Sequence, residues 1–175
     1  MSKLDVTITY IQMMSPPTTA PKPMPPGAMV MQAVKPTISF YRYLYNTVGQ
    51  DWLWGDRRKW SDAELAAEVQ HPLVEVQVLY YEGVPAGYAE LDRRQPLEVE
   101  LAYFGLMPEF IGRGLGGFML NWTVHRAWSY LPRRVWLHTC TLDHPQALAV
   151  YQKAGFEIYQ CEQKFEDDPR DLGLM

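Results

Sequence analysis

The segment Pro108-Glu109-Phe110-Ile111-Gly112-Arg113-Gly114-Leu115-Gly116-Gly117 carries the clearest chemical signal in the sequence. An apolar, strand-like run from Leu97 to Met107 leads into it, and a helix-like run from Phe118 to Leu131 leaves it. Strand, glycine loop and helix in that order present backbone N–H groups at the positive end of a helix dipole, where an anion binds. Glycines there let the main chain adopt φ > 0 and approach a ligand with no Cβ in the way. The ligand implied carries phosphate. A second signal lies in the preceding run, where Glu98, Glu100 and Ala102 alternate with Val99, Leu101 and Tyr103. One face of that strand therefore carries two carboxylates, which is costly in a covered sheet unless they are used or paired. A third is aromatic: Trp52, Trp54 and Trp60 cluster beside Asp51 and Asp56, downstream of Tyr41 and Tyr45. Trp52 and Trp54 with those acids suit a cationic or aromatic amine. The same rings could equally serve as core, the better reading for the two tyrosines.

Elements to position these groups can be read along the chain. Leu4–Met13 reads as a strand, with Val6, Ile8, Tyr10 and Gln12 on one face and Thr7, Thr9 and Ile11 on the other. Ser15 to Gly27 contains Pro16, Pro17, Pro21, Pro23, Pro25 and Pro26, which forbid regular structure and make a loop or extended linker. Pro36 opens a helix on which Tyr41, Leu44, Tyr45 and Val48 recur. Ser61-Asp62-Ala63-Glu64 has the form of a capping box starting a short helix to about Gln70. Strands follow in meander order at Glu75–Tyr81, Ala86–Arg93 and Leu97–Met107. After the glycine loop, Leu120, Val124, Ala127/Trp128 and Leu131 form one helix stripe, ended by Pro132. Arg134–Thr141 is a strand, Pro145 sits in a helix's first turn with Asp143 or His144 as cap, Gly155 stops that helix, and Phe156–Phe165 is the last strand.

Composition limits the function classes. The chain has 175 residues, 47% apolar and 21% charged, which suits one globular domain with a real core. A formal charge of -4 argues against nucleic acid as the main partner. No run of 18 apolar residues and no signal-peptide layout occur, so the expectation is a cytoplasmic protein that does not span a membrane. Cys140 and Cys161 lack metal or redox spacing and read as buried free thiols on strands, and no metal site is expected.

Two families of phosphate loop compete. Gly112-x-Gly114-x-x-Gly117 matches the dinucleotide pattern, which would imply an NAD(P)-binding oxidoreductase. That pattern belongs directly after the first strand of a parallel sheet, whereas here Pro108–Ile111 intervene and meander strands precede. The segment Ile111-Gly112-Arg113-Gly114-Leu115-Gly116 more closely resembles the acyl-coenzyme A loop of the GNAT superfamily of N-acetyltransferases, (Gln/Arg)-x-x-Gly-x-(Gly/Ala). Leu106-Met107-Pro108-Glu109-Phe110 resembles that family's V-x-P-E-Y lead-in. Downstream, His144-Pro145-Gln146-Ala147 through Tyr151 to Gly155-Phe156 resembles its N-x-x-A-x-x-x-Y-x-x-x-G-F element. Ile111 replaces Gln/Arg and His144 replaces Asn; a backbone cradle needs no particular side chain at the first, while a histidine at the second can titrate.

The resemblance implies a fold and a set of roles. The fold would be α/β of the α+β type: a mixed, mostly antiparallel twisted sheet of six or seven strands flanked by helices. It would form a single domain over residues 1–166, with residues 15–27 a Pro-rich loop and 167–175 a flexible tail. The β-strands ending near Met107 and starting near Arg134 would splay to admit acetyl-CoA. The backbone of Ile111, Gly112, Arg113, Gly114, Leu115, Gly116 and Gly117 would hold its pyrophosphate, and the strand edge at Phe104, Gly105 and Leu106 its pantetheine arm. Glu100 stands where several members carry a general base, with Glu98 as the lesser candidate and a salt-bridged structural role as the alternative. Tyr151 occupies the position whose phenol protonates the leaving thiolate, and His144 would contact cofactor or acceptor, or cap. The activity implied is direct N-acetyl transfer to a primary amine of a small molecule or peptide. A non-catalytic acyl-CoA-binding module is the rival, and analogy with the family allows a homodimer.

Overall fold

In the computed structural model, which describes residues 2–175, the apolar alternations form one seven-stranded sheet. The elements in chain order are β1 (Lys3–Met13), β2 (Ala28–Ala33), α1 (Ile38–Gly49), α2 (Asp62–Val69), β3 (Val74–Tyr81), β4 (Val84–Asp92), β5 (Glu98–Leu106), α3 (Leu115–Trp128), β6 (Arg134–Cys140), α4 (Ala147–Lys153) and β7 (Glu157–Asp167). The strands lie in the order β2-β3-β4-β5-β6-β1-β7, and only β5 and β6 run parallel. This is the α/β, mostly antiparallel architecture expected of the family resemblance. Among the described residues no helix is long and apolar enough to cross a membrane.

Each face of the sheet has its own core. On one, Phe118, Met119, Leu120 and Val124 of α3 pack against Ala89, Leu91, Val99, Leu101 and Leu137. On the other, Tyr41, Leu44, Tyr45 and Val48 of α1 and Leu65 and Val69 of α2 cover Val76, Val78 and Tyr88. Each fully buried aliphatic side chain contributes about 1.5–3 kcal/mol. The predicted capping box exists: Ser61 Oγ accepts from Glu64 N and the Glu64 carboxylate accepts from Ser61 N, which fixes where α2 begins.

Several boundaries differ from the sequence reading. Strand β2 was not expected; its Met and Ala residues carry no β-branched alternation except Val30, yet it pairs with β3 from Ala28↔Tyr81 to Ala33↔Val76. Helix α1 starts two residues after Pro36, with Thr37 at its N-cap. Helix α3 begins at Leu115, so Gly116 and Gly117 form its first turn rather than the loop, and it ends at Trp128, leaving Leu131 84% exposed at φ 54. Helix α4 begins at Ala147, beyond Pro145. Both cysteines are free, but Cys161 is exposed on edge strand β7 rather than buried.

A buried polar network ties the α1–α2 segment to the sheet. Arg57 donates to Glu90 Oε2 at 2.6 Å and to the Tyr41 hydroxyl, while Tyr41 donates to the same carboxylate at 2.7 Å. Its guanidinium also lies 4.5 Å from the Tyr103 ring centre. Desolvation opposes the Arg57 charge, but Glu90, with help from Tyr41 and Tyr103, outweighs it and raises the guanidinium pKa. Past β7 the chain turns back: the Asp171 carboxylate accepts from Ser2 N at 2.7 Å, and the Leu174 carbonyl accepts from Arg58 Nη1 at 2.9 Å.

Candidate active site

Parallel strands β5 and β6 pair only where Glu98–Glu100 lies opposite Arg134–Trp136. Beyond that, β5 carries one extra residue, Ala102, between the pairs Leu91↔Leu101 and Glu90↔Tyr103, and a bulge of this kind bends a strand away from its neighbour. The strands diverge around a cavity of about 440 Å³, lined by Leu101–Leu106 on one side and by Leu137, His138 and Cys140 on the other. That volume holds a substantial ligand, and the carboxyl ends of parallel strands are where open sheets bind one.

Glycine loop and helix α3 close one end. Gly112 and Gly114 have φ of +82 and +78, and a Cβ at either would meet nothing within 4 Å, so backbone conformation rather than crowding selects glycine there. No side chain caps α3, whose N-cap is Gly114 itself. The first-turn N–H groups are therefore free for an acceptor from a ligand, at a wall formed by Gly114, Gly116 and Gly117. This is the donor set a phosphoryl group needs, so the residues present fit the phosphate end of a CoA thioester.

The other end is aromatic and acidic. Trp52, Trp54 and Asp56 face His144, Asp143 and Glu166 there. The Trp54 indole N–H reaches Asp143 Oδ1 at 3.4 Å, and the Trp52 ring meets His144 edge-on at 5.2 Å, so two loops touch across the opening. Asp143 also accepts from Thr139 Oγ1 at 2.7 Å and Cys140 N at 3.0 Å. Among the described residues no Lys or Arg lines the cavity, although Asp56, Asp143 and Glu166 do.

The sequence candidates take different places. Phe104, Gly105, Leu106, Ile111, Gly112, Gly114, Gly116, Gly117, His144 and Tyr151 all line the cavity. Gly105 is needed for close approach as well, since a Cβ there would stand 2.4 Å from Val48 Cγ1 of α1. Leu115 turns its side chain into the core at 2% exposure, and the exposed Arg113 lies with its guanidinium 5.2 Å from the Phe110 ring. Glu98 is ion-paired to Arg134 at 3.0 Å. Glu100 does not line the cavity; it stands on the α1 side of β5, opposite Asp92. Burial first, then the Asp92 and Glu90 charges, push its pKa up to about 7. Tyr151 is buried between Phe104 and Phe156, and burial first, then Asp143, raises its pKa. His144 Nδ1 accepts from Gln146 N at 3.1 Å, bracing the turn before α4.

Sequence reasoning missed His138, Asp143 and Glu166. His138 sits on the cavity wall, its ring 5.7 Å from that of Tyr10; desolvation chiefly lowers its pKa, so the imidazole is neutral at neutral pH. The alternation of Leu137 and His138 on β6 offered a signal, but only with knowledge that β6 diverges from β5. Cys140 lines the same wall, and desolvation first, then Asp143, push its thiol up to about 11.

An open sheet that splits beside an uncapped helix start defines a class of α/β proteins built to hold an extended, phosphate-ended ligand. The model of the acetyltransferase (GNAT) family matches residues 39–156, and the chain belongs to that family of acetyl-transferring enzymes. It is 37% identical over 71 residues to the mycothiol acetyltransferase of Acidothermus cellulolyticus, a stretch covering 41% of this chain and 20% of that one. Among solved structures, a putative GNAT acetyltransferase from Novosphingobium aromaticivorans superposes with TM-score 0.61 at 15% identity, covering 91% of this chain and 63% of the other. The ribosomal-protein-S18-alanine N-acetyltransferase of Escherichia coli gives TM-score 0.61 at 16% identity over 76% and 79% of the two chains. The chain thus spans only about a fifth of the curated relative it matches, and the structural likeness concerns the fold.

Proposed function

We propose that the protein is an N-acetyltransferase that passes the acetyl group of acetyl-CoA directly to a primary amine of a small molecule or peptide. The observation that carries this reading is the cavity between the diverging ends of β5 and β6, with free helix N–H groups at one end and indoles and carboxylates at the other. The N–H groups of Leu115, Gly116 and Gly117 hold the pyrophosphate, and the unpaired edge of Phe104–Leu106 hydrogen-bonds the pantetheine amides as an added strand would.

At the other end the acceptor arrives as an ammonium. Asp56 and Glu166 form no ion pair or side-chain hydrogen bond among the described residues, and the cavity wall carries no cation to repel it. The ammonium must lose a proton before its nitrogen attacks. Glu100, with its midpoint near 7, takes that proton through water, because its carboxylate is not on the wall. As the C–N bond forms and the C–S bond breaks, Tyr151 gives its phenolic proton to the departing sulfur and is restored by the second proton that the nitrogen sheds on becoming an amide. Burial makes that phenol a reluctant acid, but the same apolar wall makes the thiolate demand a proton more strongly. Cys140 remains a thiol at neutral pH, which favours direct transfer over an acyl-cysteine route.

The test is thermal stabilisation by acetyl-CoA compared with NAD, followed by thiol release across a panel of amines. Failure of every acyl-CoA to raise the melting temperature overturns the reading. The position of Glu100 off the wall favours one alternative, an acyl-CoA-binding module without transfer. Acetyl-CoA binding with no thiol release from any amine, unchanged in the Glu100→Gln, Tyr151→Phe double variant, would establish that alternative.

A further inference from the structure

The Pro-rich segment 15–27 leaves β1 inside the sheet and must reach β2 at the far edge, past four intervening strands. On the way it crosses the start of α3. Lys22 N donates to Asn121 Oδ1 at 2.7 Å, and Lys22 Nζ lies 3.7 Å from where a Cβ on Gly117 would stand. Gly117 and Asn121 are four apart on α3 and so share a face, and Gly117 lines the cavity. The prolines at 21 and 23 on either side of Lys22 restrict its backbone, so the Asn121 contact fixes where the side chain starts. Lys22 makes no ion pair among the described residues.

Charge balance gives this ammonium a task. The cavity wall offers a CoA thioester no Lys or Arg, and a helix start supplies only about half an elementary charge. Countercharge for the phosphates has to come from beside the glycine loop. Two cations stand there, Arg113 within the loop and Lys22 over the first turn of α3. We infer that Lys22 is a phosphate-binding residue, strapped over the start of α3 by the Pro-rich segment, whose ammonium contacts the diphosphate of the donor. This rests on the acetyl-CoA reading above.

Fluorescence of Trp52 and Trp54, which line the cavity, reports binding in the wild type, Lys22→Ala and Lys22→Arg, titrated with acetyl-CoA and with acetyl-3′-dephospho-CoA at several salt concentrations. Lys22→Ala should bind both ligands about fivefold more weakly at low salt, with a shallower dependence of Kd on salt, and Lys22→Arg should retain most of the affinity. Unchanged affinity in Lys22→Ala overturns the inference. So does a loss with an unchanged salt slope, which marks a packing effect, or a loss confined to acetyl-CoA, which marks a 3′-phosphate contact. A wild type that binds neither ligand removes the transferase reading and this inference together; a wild type that binds while Lys22→Ala matches it removes only Lys22.

Discussion

Replacing Glu100 by Gln should make the protein more stable at pH 8 than at pH 5, relative to wild type. The ordinary Glu midpoint of 4.5 is the unfolded reference, and burial together with Asp92 and Glu90 moves it to about 7 in the folded state. A raised carboxyl midpoint means that the folded protein holds the proton more tightly than the unfolded chain does. Stability from this group is therefore intact below 4.5, falls between 4.5 and about 7, and is fully lost above. At 1.36 kcal/mol per pH unit the cost reaches about 3 kcal/mol at pH 8 and about 1 kcal/mol at pH 5. A neutral amide of the same shape escapes it. For a domain of this size the melting temperature should rise by roughly 6–12 °C at pH 8 and by about 2–4 °C at pH 5. Thermal melts followed by circular dichroism at the two pH values read this directly. An equal shift at both, or a loss of stability at pH 8, would show that Glu100 is not held in the environment described here.

Three further outcomes are expected. Tyr151→Phe should lower kcat by about 100-fold or more while the Kd for acetyl-CoA changes less than about twofold, since only the proton is removed; an unchanged kcat sinks the role of the phenol. Arg57→Met leaves the Glu90 carboxylate buried and uncompensated and should cost about 3–5 kcal/mol in urea unfolding, part of which Glu90→Gln restores in the double variant. A loss below about 1 kcal/mol would mean the pair is not buried as described. Maleimide should label the exposed Cys161 rapidly at pH 8 and Cys140 slowly, with acetyl-CoA slowing Cys140 further; equal rates contradict the raised Cys140 pKa.

What the sequence disclosed divides by the range of the interactions involved. The glycine loop, the Ser61 capping box and the stop at Gly155 depend on backbone rules a few residues long, and they are recognisable from the letters. Strand β2 was hidden because its pairing with β3 comes from residues 43 or more positions away, not from its own pattern. The start of α3 was misplaced because glycines suggest loop by propensity, whereas packing of Leu115 into the core draws the helix back to include Gly116 and Gly117. Glu98 and Glu100 share one strand face in the sequence, and only the family resemblance ranked Glu100 above Glu98. Their difference lies in partners from distant segments: Arg134 of β6 neutralises Glu98, while Asp92 and Glu90 of β4 crowd Glu100 with like charge. His138, Asp143 and Glu166 escaped because only the divergence of β5 and β6 makes them neighbours of the cavity.

The position of β1 also sets an order of events in time. It is made before the other strands of this sheet, yet it pairs with β6 and β7, in registers such as Ile11↔Leu137 and Lys3↔Asp167. Contacts between such distant segments close late, and they slow the search for the native state. Until β6 is made, β1 has no neighbour in the sheet to pair with. The floor that Val6 and Ile8 give the cavity is then missing as well. A chain made only as far as α3 therefore has its glycine loop but no finished pocket, whose lining is complete only when β7 adds Glu166.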